Sequence, residues 1–539
     1  MLMVPINADN VRKIQRLCIK HNLTADDSLN EFWNTLPPVP QTIPGFSYTL
    51  KNYQAEGVSW LEKMGGRGLL GDEMGTGKTV QVMAYIHRNS KIPAMIICPN
   101  SIKFNWRNEI LATTGDAYKI NLIGKSYSKK ETARRARIHS NVIYSKELTP
   151  GCDIYIINYD IVSRNLLEIE KAGIQFIAAD ESHKIKNYKA KRTEAIVRLA
   201  TGIENRKNPK TKKIDPIKVS NGIESVVFMS GTPQVNRPNE LWTSVNTLTP
   251  WVPEFSQWTR FGFRYCGAVN NGYGWNFGGS SNTIELNALL TKHVMLRRLK
   301  SDVLKELPPK IYTTIPLDFD RAEYDRVVDA FNGKVNWKEG MESIVKFGGN
   351  PPTSDEAIVE IQKLREIAGY AKLDSAAEWI QDYTEEGAKI VVFAHHRNVI
   401  EQIRNKLLSN DSSYHGTVPV IMGGISNDER DEAVYQFQNN PDAKVILVSI
   451  TAGGFGLTLT AARAVAFVQL PWTPGDLQQA ADRVHRVGQD ADSVDVFNLV
   501  AEGTIEEEIA DLIISKALVM DLVLDAGRVV NTVDLKTKK

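Results

Sequence analysis

"GLLGDEMGTGKTV", residues 68–80, is the stretch on which the reading of this chain turns. It joins an apolar run to a glycine-rich turn, and "VQVMAYIHR" follows with helical patterning. A turn between strand and helix gathers backbone N–H groups at a helix N-terminus. Those donors and the positive end of the helix dipole hold phosphate. Gly75 and Gly77 permit close backbone approach, with Thr76 between them. Lys78 is placed to reach the outer phosphates, and the Thr79 hydroxyl to ligate Mg²⁺. The strict loop pattern wants glycine where Asp72 stands, five places before Gly77. The strand–turn–helix setting and the Lys-Thr pair outweigh that departure.

Similar apolar runs recur outward from this loop: "AMIICP", "DIYIINY", "FIAADE" and "SVVFMSG". A second series follows: "KIVVFAHH", "VPVIMGG", "KVILVSI", "AVAFVQL" and "VDVFNLV". Continuous apolar runs between helical stretches predict strands buried on both faces of a parallel sheet. The fold class is therefore α/β, with two doubly wound domains and helical insertions between them. The expected organisation is an N-terminal helix ("NADNVRKIQRLCIKHN") and proline-rich linker over 1–45, and a nucleotide-binding domain with an insertion over 46–310. A helical connector over 311–371, a second α/β domain over 372–500, and a C-terminal helix and tail over 501–539 complete it.

"FIAADESH" sets Asp180 and Glu181 at a strand end, the edge where open α/β sheets bind ligands. Asp180 suits Mg²⁺ held through water, and Glu181 suits orienting or deprotonating an attacking water. His183 and Lys184 lie just beyond. In "FMSGTP", Ser230 and Thr232 could relay between the carboxylates and a second ligand, although the tetrapeptide is also simply a good turn. About four hundred residues beyond Lys78, "LQQAADRVHRVGQ" (477–489) places Arg483 and Arg486 three apart on what reads as one helical face. Guanidinium groups stabilise the charge that builds on a transferring phosphoryl group. The two arginines are thus expected to face the terminal phosphate of ATP in a cleft between domains.

The chain has 539 residues, too many for a single core, and a formal net charge of +2. That balance neither announces nor excludes a nucleic-acid partner. Four separated cysteines with no CxxC pair disfavour a zinc site or a disulfide framework. No secretion signal and no long apolar span is visible, so a cytoplasmic or nuclear protein without a membrane contact is expected. Adjacent His395 and His396 make a poor metal site.

"LKNYQAEGVSWL", "GDEMGTGKT", "MIICPNSIKFNW", "DESH", "MSGTP", "VSITAGGFGLTLTAA" and "QAADRVHRVGQ" stand in this order. As a set they resemble the superfamily-two helicase-like ATPases, and "DESH" with "DRVHRVGQ" resembles the Swi/Snf family within it. The segment "FGFRYCGA…GWNFGGSSN…ELNALLTKHVMLRRLKSDVLKELPPK" is most similar to the annealing-helicase (HARP-like) branch. The resemblance spans about residues 46–520. It implies two RecA-like lobes, ATP with Mg²⁺, and a DNA-stimulated ATPase moving along double-stranded DNA, with an annealing or strand-separating helicase on forked DNA as the alternative. It implies that Gln54 contacts adenine. It also implies nucleotide or finger roles for Gly75, Gly77, Lys78, Thr79, Asp180, Glu181, Arg483 and Arg486, with Gln479 one turn before Arg483. Gly456 and Thr458 would couple nucleotide to DNA. Gly71 departs from the family's more usual alanine.

Duplex tracking rests on phosphate contacts. Strand-end loops supply the candidates: Ser101, Lys103, Trp106, Asn158 and Tyr159 in the first domain, and His396, Arg397, Thr451 and Gly453 in the second. The basic runs 205–213 and 129–139 read first as solvated segments. Trp251, Trp258 and Trp275 read as packing residues. A monomer is expected, and no protein partner is specified. A non-catalytic scaffold, a nucleotide switch and an RNA helicase are the other classes weighed.

Overall fold

The computed structural model describes residues 8–21, 23, 38–124, 140–207, 214–270, 272, 274–331, 355–385, 387–409, 414–453 and 456–527. The basic run 129–139, the tip of the run 205–213 and the tail from 528 lie outside them. The chain divides into two compact units: Met1–Pro233 with Asn239–Tyr265 and Glu285–Val303, and Gln234–Pro238 with Cys266–Ile284 and Leu304–Lys539.

The first unit is built on β1 (Arg67–Leu70), β2 (Ala94–Cys98), β3 (Ile120–Ile123), β4 (Val142–Ser145), β5 (Ile154–Asn158) and β6 (Phe176–Asp180). The hairpin β7 (Ile203–Lys207) and β8 (Ile214–Lys218) comes next, then β9 (Ser225–Met229). The second unit's short pair β10 (Val269–Asn270) and β11 (Trp275–Asn276) precedes β12 (Met295–Leu296) of the first. Eight strands pair in the order β12-β1-β9-β6-β2-β5-β3-β4, every neighbour parallel. All residues of β1, β2, β5 and β9 are buried, as apolar runs covered on both faces must be. The order has a functional consequence. β1, β9 and β6 are consecutive neighbours, so the phosphate loop, "SGTP" and "DESH" leave the sheet side by side.

The second unit carries β13 (Lys310–Leu317), β14 (Ile390–Ala394), β15 (Val420–Ile421), β16 (Val445–Ser449), β17 (Ala464–Phe467) and β18 (Val494–Ala501). Their order is β13-β18-β17-β14-β16-β15, again all parallel. Alternate residues serve opposite faces, as the two-residue strand period requires. Val391, Phe393, Ile446, Val448, Val465 and Phe467 join one core, with side chains from the helices Asp355–Ala371, Asn427–Asn439 and Ile505–Leu524. Ile390, Val392, Ala394, Val445, Leu447, Ala464 and Ala466 join the other, beneath the helices Leu373–Glu385 and Arg397–Leu407.

Several sequence expectations change here. The span 311–371 is not a purely helical connector, because β13 pairs along its whole length with β18 and makes the edge of the second sheet. Nor does the second unit begin at 372: it takes in Leu304 onward, and buried Lys372 binds Glu506 Oε2 (2.5 Å) across its core. The expected C-terminal helix, Ile505–Leu524, packs into that core. Within the stretch read as a linker, Val39 and Ile43 are buried, as are Phe46 and Leu50 just after it. Trp251 lies under Arg16 of the helix Ala8–His21, and Trp258 packs on Trp242 and Phe261. Trp275, read as a packing residue, is 53% exposed.

Candidate nucleotide site

The phosphate loop runs from β1 into the helix Lys78–Arg88. Gly75 (φ 82°) and Gly77 (φ 80°) hold the left-handed backbone that glycine adopts without strain. A Cβ on Gly77 would lie 2.3 Å from Gln54 Nε2, so a side chain there would displace the Gln54 amide as well as strain the backbone. Gln54 is 2% exposed, and its amide donates to the Thr76 carbonyl (3.2 Å), as does the Tyr53 hydroxyl (2.9 Å). The residue expected at adenine therefore rests against the loop itself. Lys78 Nζ donates to the carbonyls of Asp72 (2.7 Å) and Glu73 (2.9 Å). Burial lowers its pKa, against the pull of Asp72, Glu181 and Asp180. Thr79 is half-buried in the first turn of the helix.

Asp72 is fully buried, and its carboxylate is gripped by Arg298 through Nε (3.1 Å), the second guanidinium nitrogen (2.5 Å) and the backbone N–H (3.0 Å). Gln81 Nε2 adds a fourth bond (3.2 Å). Arg297 donates to the carbonyls of Gly71 (2.8 Å) and Gly231 (3.1 Å). This explains the missing glycine, because Asp72 anchors the loop to the segment after β12. Sequence reading missed both arginines as functional residues; the signals were an acid where glycine was wanted and a paired "RR" beyond a short apolar run. Gly71 also has a reason. A Cβ there would sit 3.2 Å from Met295 and Pro233 side-chain atoms, tighter than ordinary contact.

Asp180 ends β6, and its Oδ1 accepts the Glu181 N–H (2.9 Å) while Oδ2 accepts the Trp106 indole N–H (2.8 Å). Burial raises its pKa, and the Trp106 bond, Lys78 and the Glu181 amide oppose the rise. Glu181 takes a left-handed backbone (φ 54°) and is 7% exposed. Its Oε2 lies 3.4 Å from His183 Nδ1. Burial, with Lys184 and Lys186 nearby, pushes His183 down to about 3, so the imidazole is neutral. Ser230 Oγ lies 3.3 Å from the same ring nitrogen and accepts the Thr232 N–H (3.1 Å). A Cβ on Gly231 would meet Met74 of the phosphate loop at 2.2 Å. Three motifs therefore form one cluster at the carboxyl edge of the sheet.

Four residues expected on the DNA-facing surface turn inward. Lys103 is 1% exposed and donates to the Ile123 carbonyl (2.8 Å) and Asn158 Oδ1 (3.4 Å). Trp106, 2% exposed, is spent on Asp180, and Tyr159, 3% exposed, donates to the Asp180 carbonyl (2.6 Å). Asn158 is also buried, and Ser101 is half-buried. In the second unit Arg397 is exposed and pairs with Glu401, His396 binds Gln469 (2.9 Å), and the Thr451 hydroxyl lies 3.0 Å from Ser449 Oγ. Gly453 closes the short helix Ile450–Gly453.

The arginines do not share a helical face. The helix Pro474–Ala481, which carries buried Gln479, stops before them. The bonds Arg483 N–H to Ala480 carbonyl (3.1 Å) and Val484 N–H to Ala481 carbonyl (3.2 Å) tighten its end. Arg483 is 1% exposed and its carbonyl accepts the Leu459 N–H (2.9 Å). Arg486 is half-buried and donates to the Asp482 carbonyl (3.0 Å) and Thr458 Oγ1 (3.1 Å). Gly456, with φ 72°, precedes that threonine.

The SNF2-related domain family matches residues 53–206 and 200–326, and the helicase conserved C-terminal domain matches 371–488. The chain belongs to the SNF2-related family. Among curated SNF2-related relatives, the chain is 30% identical over 486 residues to the Xenopus tropicalis SWI/SNF-related matrix-associated actin-dependent regulator of chromatin subfamily A-like protein 1. It is 29% identical over 522 residues to human DNA annealing helicase and endonuclease ZRANB3. These alignments take in 87% and 95% of this chain but only 44% and 43% of the relatives' length. A solved Sulfolobus solfataricus SWI2/SNF2 ATPase core in complex with dsDNA is 23% identical, with a TM-score of 0.39, over 93% of this chain and 98% of that one.

Proposed function

We propose that this chain is a double-stranded DNA translocase of the Swi/Snf type, driven by ATP hydrolysis. The observation that carries the reading is the convergence of Lys78, Asp180–Glu181 and Ser230–Thr232 at one sheet edge in a chain of SNF2-related descent. The loop amides and Lys78 would bind the phosphates, and Glu181 would take a proton from the attacking water. Arg483 and Arg486 would meet the charge developing on the terminal phosphate. Among the described residues no group of three or more His, Cys, Asp or Glu could hold a metal by itself. The donors suit Mg²⁺, which favours one or two carboxylates with substrate phosphates and water. Asp180 and Thr79 would hold it, and when bound it neutralises phosphate charge. No described helix is long and apolar enough to cross a membrane.

Ser101, His396, Arg397, Thr451 and Gly453 remain the proposed DNA rim, with contacts to the backbone rather than to bases. Action on forked DNA is the second reading, favoured by the likeness to a relative named an annealing helicase. Measuring ATP hydrolysis with duplex, single-stranded and forked DNA and with RNA tests both. Duplex should stimulate most, fork-selective stimulation would favour the second reading, and equal rates with and without nucleic acid would overturn both.

Trp106 tests the site from a different side. A hydrogen bond to a charged group contributes about 1.5–3 kcal/mol. Trp106→Phe is expected to slow hydrolysis by about 10–100-fold and to raise the Mg²⁺ needed for half-maximal rate, as a magnesium titration would record.

A further inference from the structure

We infer that Lys310, at the start of β13, is a positioning residue for the arginine-bearing segment 482–489. This rests on the proposed role of Arg486. Beyond Ala481 that segment has left the helix, so tertiary contacts must fix where its guanidinium groups point. Lys310 Nζ meets Asp482 Oδ1 at 3.1 Å, with the two side chains 18% and 5% exposed. Asp482 in turn offers its carbonyl to Arg486 Nε at 3.0 Å, so a single bonded residue stands between the lysine and the finger. The neighbouring Pro308 carbonyl accepts the His485 Nε2 hydrogen bond (2.7 Å), a second tie from the same strand approach. Gln489 Nε2 secures the far end on the Ala462 carbonyl (2.8 Å).

The anchor is stiff. β13 pairs with β18 from Lys310↔Val494 to Leu317↔Ala501, and the Val494 N–H bonds the Pro309 carbonyl (2.9 Å). The turn is thereby bonded to the edge of a sheet. A buried carboxylate is costly unless it is paired, and Lys310 is the cation that meets Asp482 at hydrogen-bond distance, with His485 Nδ1 farther off at 3.8 Å. Misplacing a reacting or stabilising group by about 1 Å costs on the order of 10²-fold in rate.

The experiment compares the full chain with Lys310→Met, Lys310→Arg, Lys310→Met/Asp482→Asn and Arg486→Ala. Lys310→Met is expected to lower kcat by about 10–100-fold, with the KM for ATP and the affinity for ADP held within about twofold. Its affinity for ADP with aluminium fluoride, a mimic of the transferring phosphoryl group, should fall with kcat, and Lys310→Arg should restore most of both. The double variant removes the stranded carboxylate. It should fold, as its melting curve would show, and remain slow. Wild-type kcat in a folded Lys310→Met or double variant, with Arg486→Ala slow, would overturn the positioning role and leave the finger standing. Wild-type kcat in Arg486→Ala would overturn the finger and this inference with it.

Discussion

Arg486→Ala is expected to lower the kcat of ATP hydrolysis by about 10³–10⁵-fold, the range that finger arginines supply in phosphoryl transfer. At 1.36 kcal/mol per decade this is about 4–7 kcal/mol of transition-state stabilisation. Nucleotide affinity should hardly change, because the phosphate loop, Lys78 and Asp180 all belong to the first unit. Arg486 is the better probe of the pair. Arg483 is 1% exposed, so truncating it opens a cavity and removes a buried charge, and a slow variant would report folding as much as chemistry. Arg486 is half-buried, and its bonds include the Asp482 carbonyl and the Thr458 hydroxyl. Arg486→Lys separates charge from shape. It keeps a cation but loses the planar fork, and so should recover only part of the rate. Stopped-flow binding of a fluorescent ADP beside steady-state hydrolysis gives both quantities. A variant that hydrolyses at the wild-type rate would show that this arginine does not touch the reaction.

Most core strands of both domains were legible because burial on two faces demands unbroken apolar runs, and those runs stand out; the edge strand β15 lay in such a run, whereas the short β3 and β4 were passed over. The edges β12 and β13 were not legible. β12 is two residues long and β13 reads "KIYTTIPL", half exposed, so neither carries the signature of a central strand. Local backbone settings, such as Lys78 after a glycine turn or Asp180 at a strand end, were equally readable. What the sequence concealed is long-range. Arg298 lies 226 residues from Asp72, and Trp106 lies 74 from Asp180. Nothing in local patterning separates a tryptophan that binds a carboxylate from one that faces DNA. The arginine pair failed for a different reason. An i,i+3 spacing implies a shared face only while the helix lasts, and this one ends at Ala481.

Glu181→Gln is expected to lower kcat by about 10²–10⁴-fold, the usual contribution of a general base, while ATP still binds. The side chain keeps its size, so the change removes proton acceptance and the carboxylate's charge, including its pull on Lys78, without opening a cavity. Two features of the site favour a basic rather than a structural role. Glu181 holds a left-handed backbone that costs a non-glycine residue about 1–3 kcal/mol, a strain that persists only where the surroundings impose it. Its near neighbour His183 is neutral, since burial and two lysines push the imidazole down to about 3, and so it does not cancel the carboxylate's charge. A protonated histidine 3.4 Å away would compete with water for the carboxylate. The neighbouring carboxylate should behave differently. Asp180→Asn is expected to weaken binding of Mg²⁺ with nucleotide, because Asp180 is the proposed metal ligand, whereas Glu181→Gln should leave that binding intact. Measuring ATP affinity with and without Mg²⁺ for both variants separates the two roles. If Glu181→Gln turned over at the wild-type rate, the water would have to be activated by another group, and Ser230 and His183 would be the next to examine.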